Sequence, residues 1–459
     1  MITGFDFGTS NCAMGVVEPS ENNAETVTLL PLENGKAFVP STLYALEREL
    51  ICESVGLQIT NPSLKEEYIG LRSGPLAQAR RVRLEEGIEQ DEQSLFFGHA
   101  AFEQYFSLPE EGYFVKSPKS FLGSSGLRAE SINFFEDIVT AMMQSIKQRA
   151  EKSLGENINH TVIGRPVNFQ GIDAEKSNQQ AIDILTVSAK RAGFQSVEFL
   201  FEPIAAGLNF ETRLTEDKTV LVVDVGGGTT DCAMVRMGPS HRNNVDRKAD
   251  FLGHSGERVG GNDLDIQLAG KCLMPLFGMQ SIMKSGLPVP TQPFWNAVTT
   301  NNVGAQSSFN SQQTGFQLEQ LLLDASQPHL IQRFIDLRDE KQNHHVVRSS
   351  EQCKIALSSL DQSYVDLSYI EANLGCDVSR SDFSEAISRP LSRMVALMED
   401  AVAQAGCQPD LIYVTGGSAQ SPVIRKAIEQ KLGSIEVVDG DHFGSVAAGL
   451  TVWAQRIFS

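Results

Sequence analysis

Asp224 is followed by Gly226, Gly227 and Gly228 and then by the hydroxyls of Thr229 and Thr230, residue types that together can grip phosphate. Consecutive glycines admit φ > 0 and close approach, so that backbone N–H groups can converge on an anion. Upstream, Val220–Val223 is a short, mainly β-branched apolar run that predicts a strand buried on both faces. Downstream, Cys232–Val235 resumes an apolar run too short for a helix, so the loop predicts a hairpin and not a strand-to-helix P-loop. Taken alone, the same residues equally describe a glycine-rich hairpin with a solvated Asp.

The N-terminus repeats the pattern. Asp6-Phe7-Gly8-Thr9-Ser10-Asn11-Cys12-Ala13-Met14 matches Asp224-Val225-Gly226 and then Thr229-Thr230-Asp231-Cys232-Ala233-Met234, once two extra glycines are allowed in the second copy. A second echo pairs Pro203-Ile204-Ala205-Ala206-Gly207-Leu208 with Ser445-Val446-Ala447-Ala448-Gly449-Leu450. Two matched pairs in one order imply a chain of two related halves, whose loops could face each other and hold a polyphosphate.

Strands and helices alternate in both halves, which predicts layered α/β lobes. The first half reads as a strand–loop–strand over 2–17 and a helix over about 132–154. A strand over 161–166, a helix over about 176–192 and a strand over 197–201 follow, with a helix opened by Glu202-Pro203. In the second half, Gly260-Gly261-Asn262-Asp263 precedes a helix, and 284–315 is rich in Pro, Thr, Asn, Ser, Gln and Gly with no clear period, which predicts a long loop or insertion. Helices are expected over 316–323, 329–339, 349–360 and 381–405. A strand over 411–414, the turn Thr415-Gly416-Gly417-Ser418, a helix over 422–432 and a closing helix over about 443–456 complete the chain.

A length of 459 residues leaves room for about three units of ~150 residues. The 41% hydrophobic and 21% charged content is that of a globular protein. A net charge of -19 argues against binding to nucleic-acid backbones, which takes basic patches. Arg80, Arg81 and Arg83 are followed closely by acids and read as a solvated helical face. The seven cysteines form no CxxC pair, so neither a zinc site nor a disulfide framework is indicated. MITGFDFG lacks the basic and apolar regions of a signal peptide, and no apolar run approaches a membrane span. Free thiols without targeting signals favour the cytoplasm.

With both hairpins, Glu202-Pro203, Gly260-Gly261-Asn262-Asp263 and Thr415-Gly416-Gly417-Ser418 in this order, the chain resembles the actin-like ATPases, most closely the heat-shock-70 chaperones and, within them, a stand-alone bacterial member. The resemblance runs from Ile2 to about Ala454. It implies an α/β fold of two lobes, each with a five-stranded, RNase H-like core sheet: lobe I over 1–214 and lobe II over 215–459. Between them would lie a cleft for ATP or ADP and Mg2+. By position, Gly8, Thr9, Ser10 and Asn11 look like the first phosphate loop and Gly226, Gly227, Gly228 and Thr229 the second. Asp6 and Asp224 would hold the metal through its water shell, since Mg2+ dehydrates reluctantly. Lys119 resembles the catalytic lysine of the family, although Lys116 competes with it. Glu202 resembles the acid that positions metal and attacking water, and Thr229 and Asp231 complete that wall. Glu202 equally places a charge at a helix N-terminus, where the dipole stabilises it by about 0.3–1 kcal/mol. Glu351, Lys354, Gly416, Gly417 and Ser418 match the adenosine side.

The chain departs from the family at Ile355 and Gln420, where arginines that pack on adenine are expected, and at Asn262, where a carboxylate is lost. The chain stops at Ser459, before the family's peptide-binding domain, so clamping of peptide by that domain is not expected. Extra length between 275 and 345 is a candidate surface for a protein client or cofactor protein. The implied function is a slowly hydrolysing, chaperone-like ATP-binding protein. A small-molecule kinase of the same fold and a nucleotide-gated scaffold stand as alternatives.

Overall fold

The computed structural model describes residues 1–19, 25–169, 173–242, 244, 247–433, 435–441 and 444–459. The first half builds one sheet from β1 (Ile2–Phe7), β2 (Asn11–Pro19), β3 (Glu25–Leu29), β4 (His160–Arg165) and β5 (Ser196–Phe201), ordered β3-β2-β1-β4-β5, with the short Val39–Pro40 strand beside β2. The second half builds another from β6 (Lys218–Val225), β7 (Thr230–Met237), β8 (Phe251–Glu257), β9 (Leu411–Thr415) and β10 (Glu436–Asp439), ordered β8-β7-β6-β9-β10. In each sheet the hairpin and its next strand pair antiparallel, and the other two strands add in parallel. The repeat seen in sequence is therefore a repeat of topology. Equivalent apolar positions behave alike: Cys12 and Cys232, just past the two loops, are both completely buried.

The helices that position the site are α1 (Ala129–Leu154), α2 (Glu202–Glu211), α3 (Gly261–Leu268), α4 (Val303–Phe309), α5 (Asn343–Ala356) and α6 (Ser445–Phe458). The two matched AAG segments lie on α2 and α6, and these helices cross in contact. A Cβ on Gly449 would sit 1.6 Å from the Ala205 carbonyl oxygen, so only glycine permits this approach. Each helix also leans on the other half. A Cβ at Gly4 of β1 would meet the Thr451 backbone of α6 at 2.1 Å, and one at Gly207 of α2 would meet Met237 of β7 at 2.3 Å. Val162, Ala205, Ala206, Val222, Ala233, Val446 and Leu450 form one buried cluster drawn from both halves. Larger cores fill each half separately.

Several local expectations are corrected. The stretch expected as a loop over 284–315 contains a helix at Gln292–Val298 as well as α4, with Phe294 and Phe309 stacked into the core around Phe334. The buried positions are few: Phe294, Ala297 and Val298 at helical spacing in one short helix and Phe309 alone in the other, too brief a pattern to stand out among the polar residues. The helix expected over 349–360 begins at Asn343 and ends at Ala356. The one expected over 381–405 is two, Arg380–Ala386 and Ser388–Ala405. Arg83 does not join a solvated face; it is buried and donates to Glu53 at 2.8 Å. Among the described residues, no helix is long and apolar enough to cross a membrane.

Candidate functional site

The two hairpin loops meet. A Cβ on Gly227 would lie 1.8 Å from Ser10 Oγ, and one on Gly228 would lie 2.7 Å from Thr9 Cγ2, so side chains larger than hydrogen would force the loops apart. Neighbouring elements fix both backbones. Ser41 donates its hydroxyl to the Gly8 carbonyl at 2.7 Å and its amide to the Ser10 carbonyl at 2.8 Å. The Gly226 and Gly227 carbonyls accept from the amides of Gly261 and Asn262 at the start of α3, at 2.9 and 2.7 Å. The Gly260-Gly261-Asn262-Asp263 turn is thereby a brace for the second loop, held in turn by Asp263, which accepts from the Gly260 amide at 2.9 Å.

One cavity opens between the halves. Asp6, Gly8, Thr9, Ser10 and Asn11 line it from the first hairpin, and Asp224, Gly226, Gly227 and Thr229 from the second. Glu202, Glu351, Lys354, Gly416, Gly417 and Ser418 complete the wall. Of the residues singled out in sequence for catalysis or phosphate binding, Gly228, Lys119 and Asp231 lie outside that lining: Gly228 against Thr9, Lys119 behind Glu202, and Asp231 bonded to the Val167 amide.

Lys119 is 4% exposed. It is delivered by a sharp turn in which Ser117 adopts the left-handed conformation, φ 57°, ahead of Pro118 and a single 3-10 turn. Its Nζ donates to Glu202 at 2.5 Å and to the Gly164 carbonyl at 3.0 Å. Lys116 points elsewhere, donating to Glu351 at 2.8 Å across the cleft. The two lysines that compete in sequence thus take different places, one inside the acid cluster and one bridging the halves.

Four carboxylates crowd this lysine. Loss of solvent, then the Glu202 charge, push Asp6 up to about 7, while Lys119 pulls it down. The same two causes in the same order push Asp231 up to about 7. Asp224 is also raised, by burial first and then by Glu202, Asp231 and Asp6. Asp231 accepts from the Val167 amide at 2.7 Å through Oδ1, and the Thr229 hydroxyl lowers its carboxyl in opposition to burial. The cluster holds more negative charge than Lys119 can neutralise, which suits a bound cation. Among the described residues, no three His, Cys, Asp or Glu side chains converge to ligate a metal directly.

At the far end Glu351 accepts from Lys116 and pairs with Arg348 at 2.9 Å, and these cations hold its carboxyl well below the usual range against the effect of burial. Lys354 pairs with Asp265 at 2.8 Å, a buried acid inside α3, two residues past the Gly260–Asp263 turn, that sequence reading does not single out. Ile355, 58% exposed, lines the cavity and offers an apolar wall, whereas Gln420 is not in the lining. Phe38, Gly261, Ser445 and Val446 were also missed. For the last two the signal existed: they head the second copy of the AAG echo, and Ser445 bonds Thr415, the register partner of Asp224, at 2.5 Å.

Two sheets of one strand order, crossed helices from matched segments, and facing acid-bearing hairpins define the two-lobed actin-like ATPase fold. The family model described as "Hsp70 protein" matches residues 127–275 and 308–455. The chain belongs to the Hsp70 family. It is 25% identical over 328 residues to the chaperone protein DnaK of Prochlorococcus marinus (strain MIT 9515), covering 69% of this chain and 41% of that protein. It is 22% identical over 451 residues to the chaperone protein dnaK of Emiliania huxleyi, covering 94% of this chain and 56% of that protein. The chain thus spans about half the length of the curated relatives it matches.

Proposed function

We propose that the cleft binds ATP and ADP with Mg2+, and that the chain is a chaperone-like protein of the Hsp70 type that hydrolyses ATP slowly. The observation that carries this reading is the acid cluster of Asp6, Asp224, Asp231 and Glu202 around a single buried lysine, directly beside two touching glycine loops. Such a cluster calls for a divalent cation, and such loops call for phosphate. Thr9, Ser10, Asn11 and Gly226–Thr229 would hold the phosphates; Asp6 and Asp224 would hold Mg2+ through water. The ion, when bound, supplies charge neutralisation at the phosphates. Lys119 would meet charge developing on the terminal phosphate, and its bond to Glu202 keeps that carboxylate oriented toward an attacking water. Positioning and charge do most of the work in phosphoryl transfer, so nothing in this set needs to react covalently. Glu351, Lys354, Ile355 and Gly416–Ser418 would take the adenosine.

The proposed lobes divide at 214/215, and the proposed insertion at 275–345 is a surface for a client or cofactor protein. The gap at 276–307 in the family match supports extra residues there. The reduced cysteines suit a cytoplasmic setting.

Phosphate release from ATP tests the catalytic part. Slow, magnesium-dependent release that Asp224→Asn and Lys119→Ala both abolish is expected. Release that appears only when a defined metabolite is added would point instead to a kinase.

A further inference from the structure

A second cavity, of about 380 Å3, separates α1 and the Tyr113–Lys116 strand of the first half from α4 of the second. This is the size of a small-ligand pocket. Its two walls are unlike. The first-half wall is aromatic: Tyr113 meets Phe134 edge-on at 5.7 Å, and Phe121 stacks on Phe135 at 6.0 Å. The α4 wall offers Val303, Gln306 and Ser307, of which Ser307 is exposed and has a short side chain that leaves space beside it. The rings therefore keep an apolar face open inside the gap.

Arg48 stands at the rim. Its guanidinium lies over Phe134 at 4.1 Å and over Tyr113 at 5.7 Å. Among the described residues it pairs with no carboxylate, in a chain whose acidic residues outnumber its basic ones 57 to 38. The other cation on this lining, Lys116, is already committed to Glu351 at 2.8 Å. The site therefore offers a cluster of aromatic rings and, beside them, one positive charge without a carboxylate partner among the described residues. A phosphate ester would want a second base; a neutral apolar molecule would leave Arg48 unused.

We propose that this gap binds a monoanionic amphipathic small molecule, an aryl-alkyl carboxylate, with its ring against Tyr113, Phe121, Phe134 and Phe135 and its carboxylate on Arg48. An arginine already stacked on an aromatic face is preorganised for bidentate pairing with a carboxylate. The occupant would touch both halves and so bias their separation.

Calorimetric titration of the full chain with 3-phenylpropionate and with its neutral amide tests this. The acid should bind about ten-fold tighter than the amide. Arg48→Gln, at an exposed position, should erase that preference. Ser307→Trp, which fills the gap from α4, should remove binding of both. Failure of both probes to bind, equal binding of acid and amide, or an acid preference that survives Arg48→Gln would each overturn the proposal. The titration needs no nucleotide, so its outcome is separate from that of the main cleft.

Discussion

Lys119 is the only cation bonded within the acid cluster among the described residues, and its pairing with Glu202 is enclosed, at 4% and 12% side-chain exposure. Removing one partner of such a pair strands the other charge, so Lys119→Met is expected to cost roughly 3–5 kcal/mol in urea unfolding. Adding Glu202→Gln to Lys119→Met should recover part of that loss, because the Glu202 charge is then no longer stranded while Asp6, Asp224 and Asp231 still lack their cation. Protonation follows from the same crowding. Asp6 and Asp231 titrate near 7 in the folded chain, above the ordinary carboxylate value of 3.8. Below the unfolded value both states carry the protons. Between there and about 7 the folded state binds more, so stability without ligand is expected to fall as pH rises through that window. Binding of magnesium nucleotide at neutral pH should then release protons, read as a heat that varies with the ionisation enthalpy of the buffer. A stability maximum at alkaline pH without ligand would contradict the charge arrangement.

At the scale of elements, the hairpins and the AAG helices are legible in sequence because each occurs twice, and a repeat turns two weak patterns into one topology. Contact between the loops is what the glycines require: Gly227→Ala should push Ser10 away and weaken binding of magnesium ATP by about ten-fold, with Ser10→Gly in the same chain recovering part of it. Gly449→Ala acts on the helix crossing instead, where the Ala205 carbonyl cannot move aside cheaply, and is expected to cost about 1–3 kcal/mol in unfolding without altering the loops. What sequence does not disclose are features without local period or motif. The Lys116–Glu351 bridge joins residues 235 apart, the Asp265 partner of Lys354 lies inside a helix, and the helices within 284–315 are short and bury few residues each. Sequence favours Lys119 over Lys116 only through its spacing to Phe121-Leu122-Gly123; in the structure Lys116 ends a strand, Lys119 lies in the following 3-10 turn, and left-handed Ser117 between them sends them to different places.

Across the whole molecule, the halves are latched on one side of the cleft. Tyr105 donates its hydroxyl to the Lys341 carbonyl at 2.6 Å, Phe106 stacks on His345 at 4.3 Å, and His344 meets Tyr105 and Phe114 edge-on. Burial pushes His344 and His345 down to about 3 and about 4, so both are neutral at physiological pH and pack as rings. Phe106→Ala removes a ring from this latch without touching the cavity, and should speed release of a fluorescent ADP while leaving phosphate-loop contacts intact. An unchanged off-rate would mean that the latch does not limit opening. Above all, the facing hairpins are read as a grip on a metal–nucleotide pair. Isothermal titration of the wild-type chain and Asp224→Asn with ATP, with and without magnesium, tests that most directly. Binding to the wild type that strengthens with magnesium and loses this dependence in Asp224→Asn is the predicted result. Equal binding with and without the metal, or no binding of ATP at all, would contradict it.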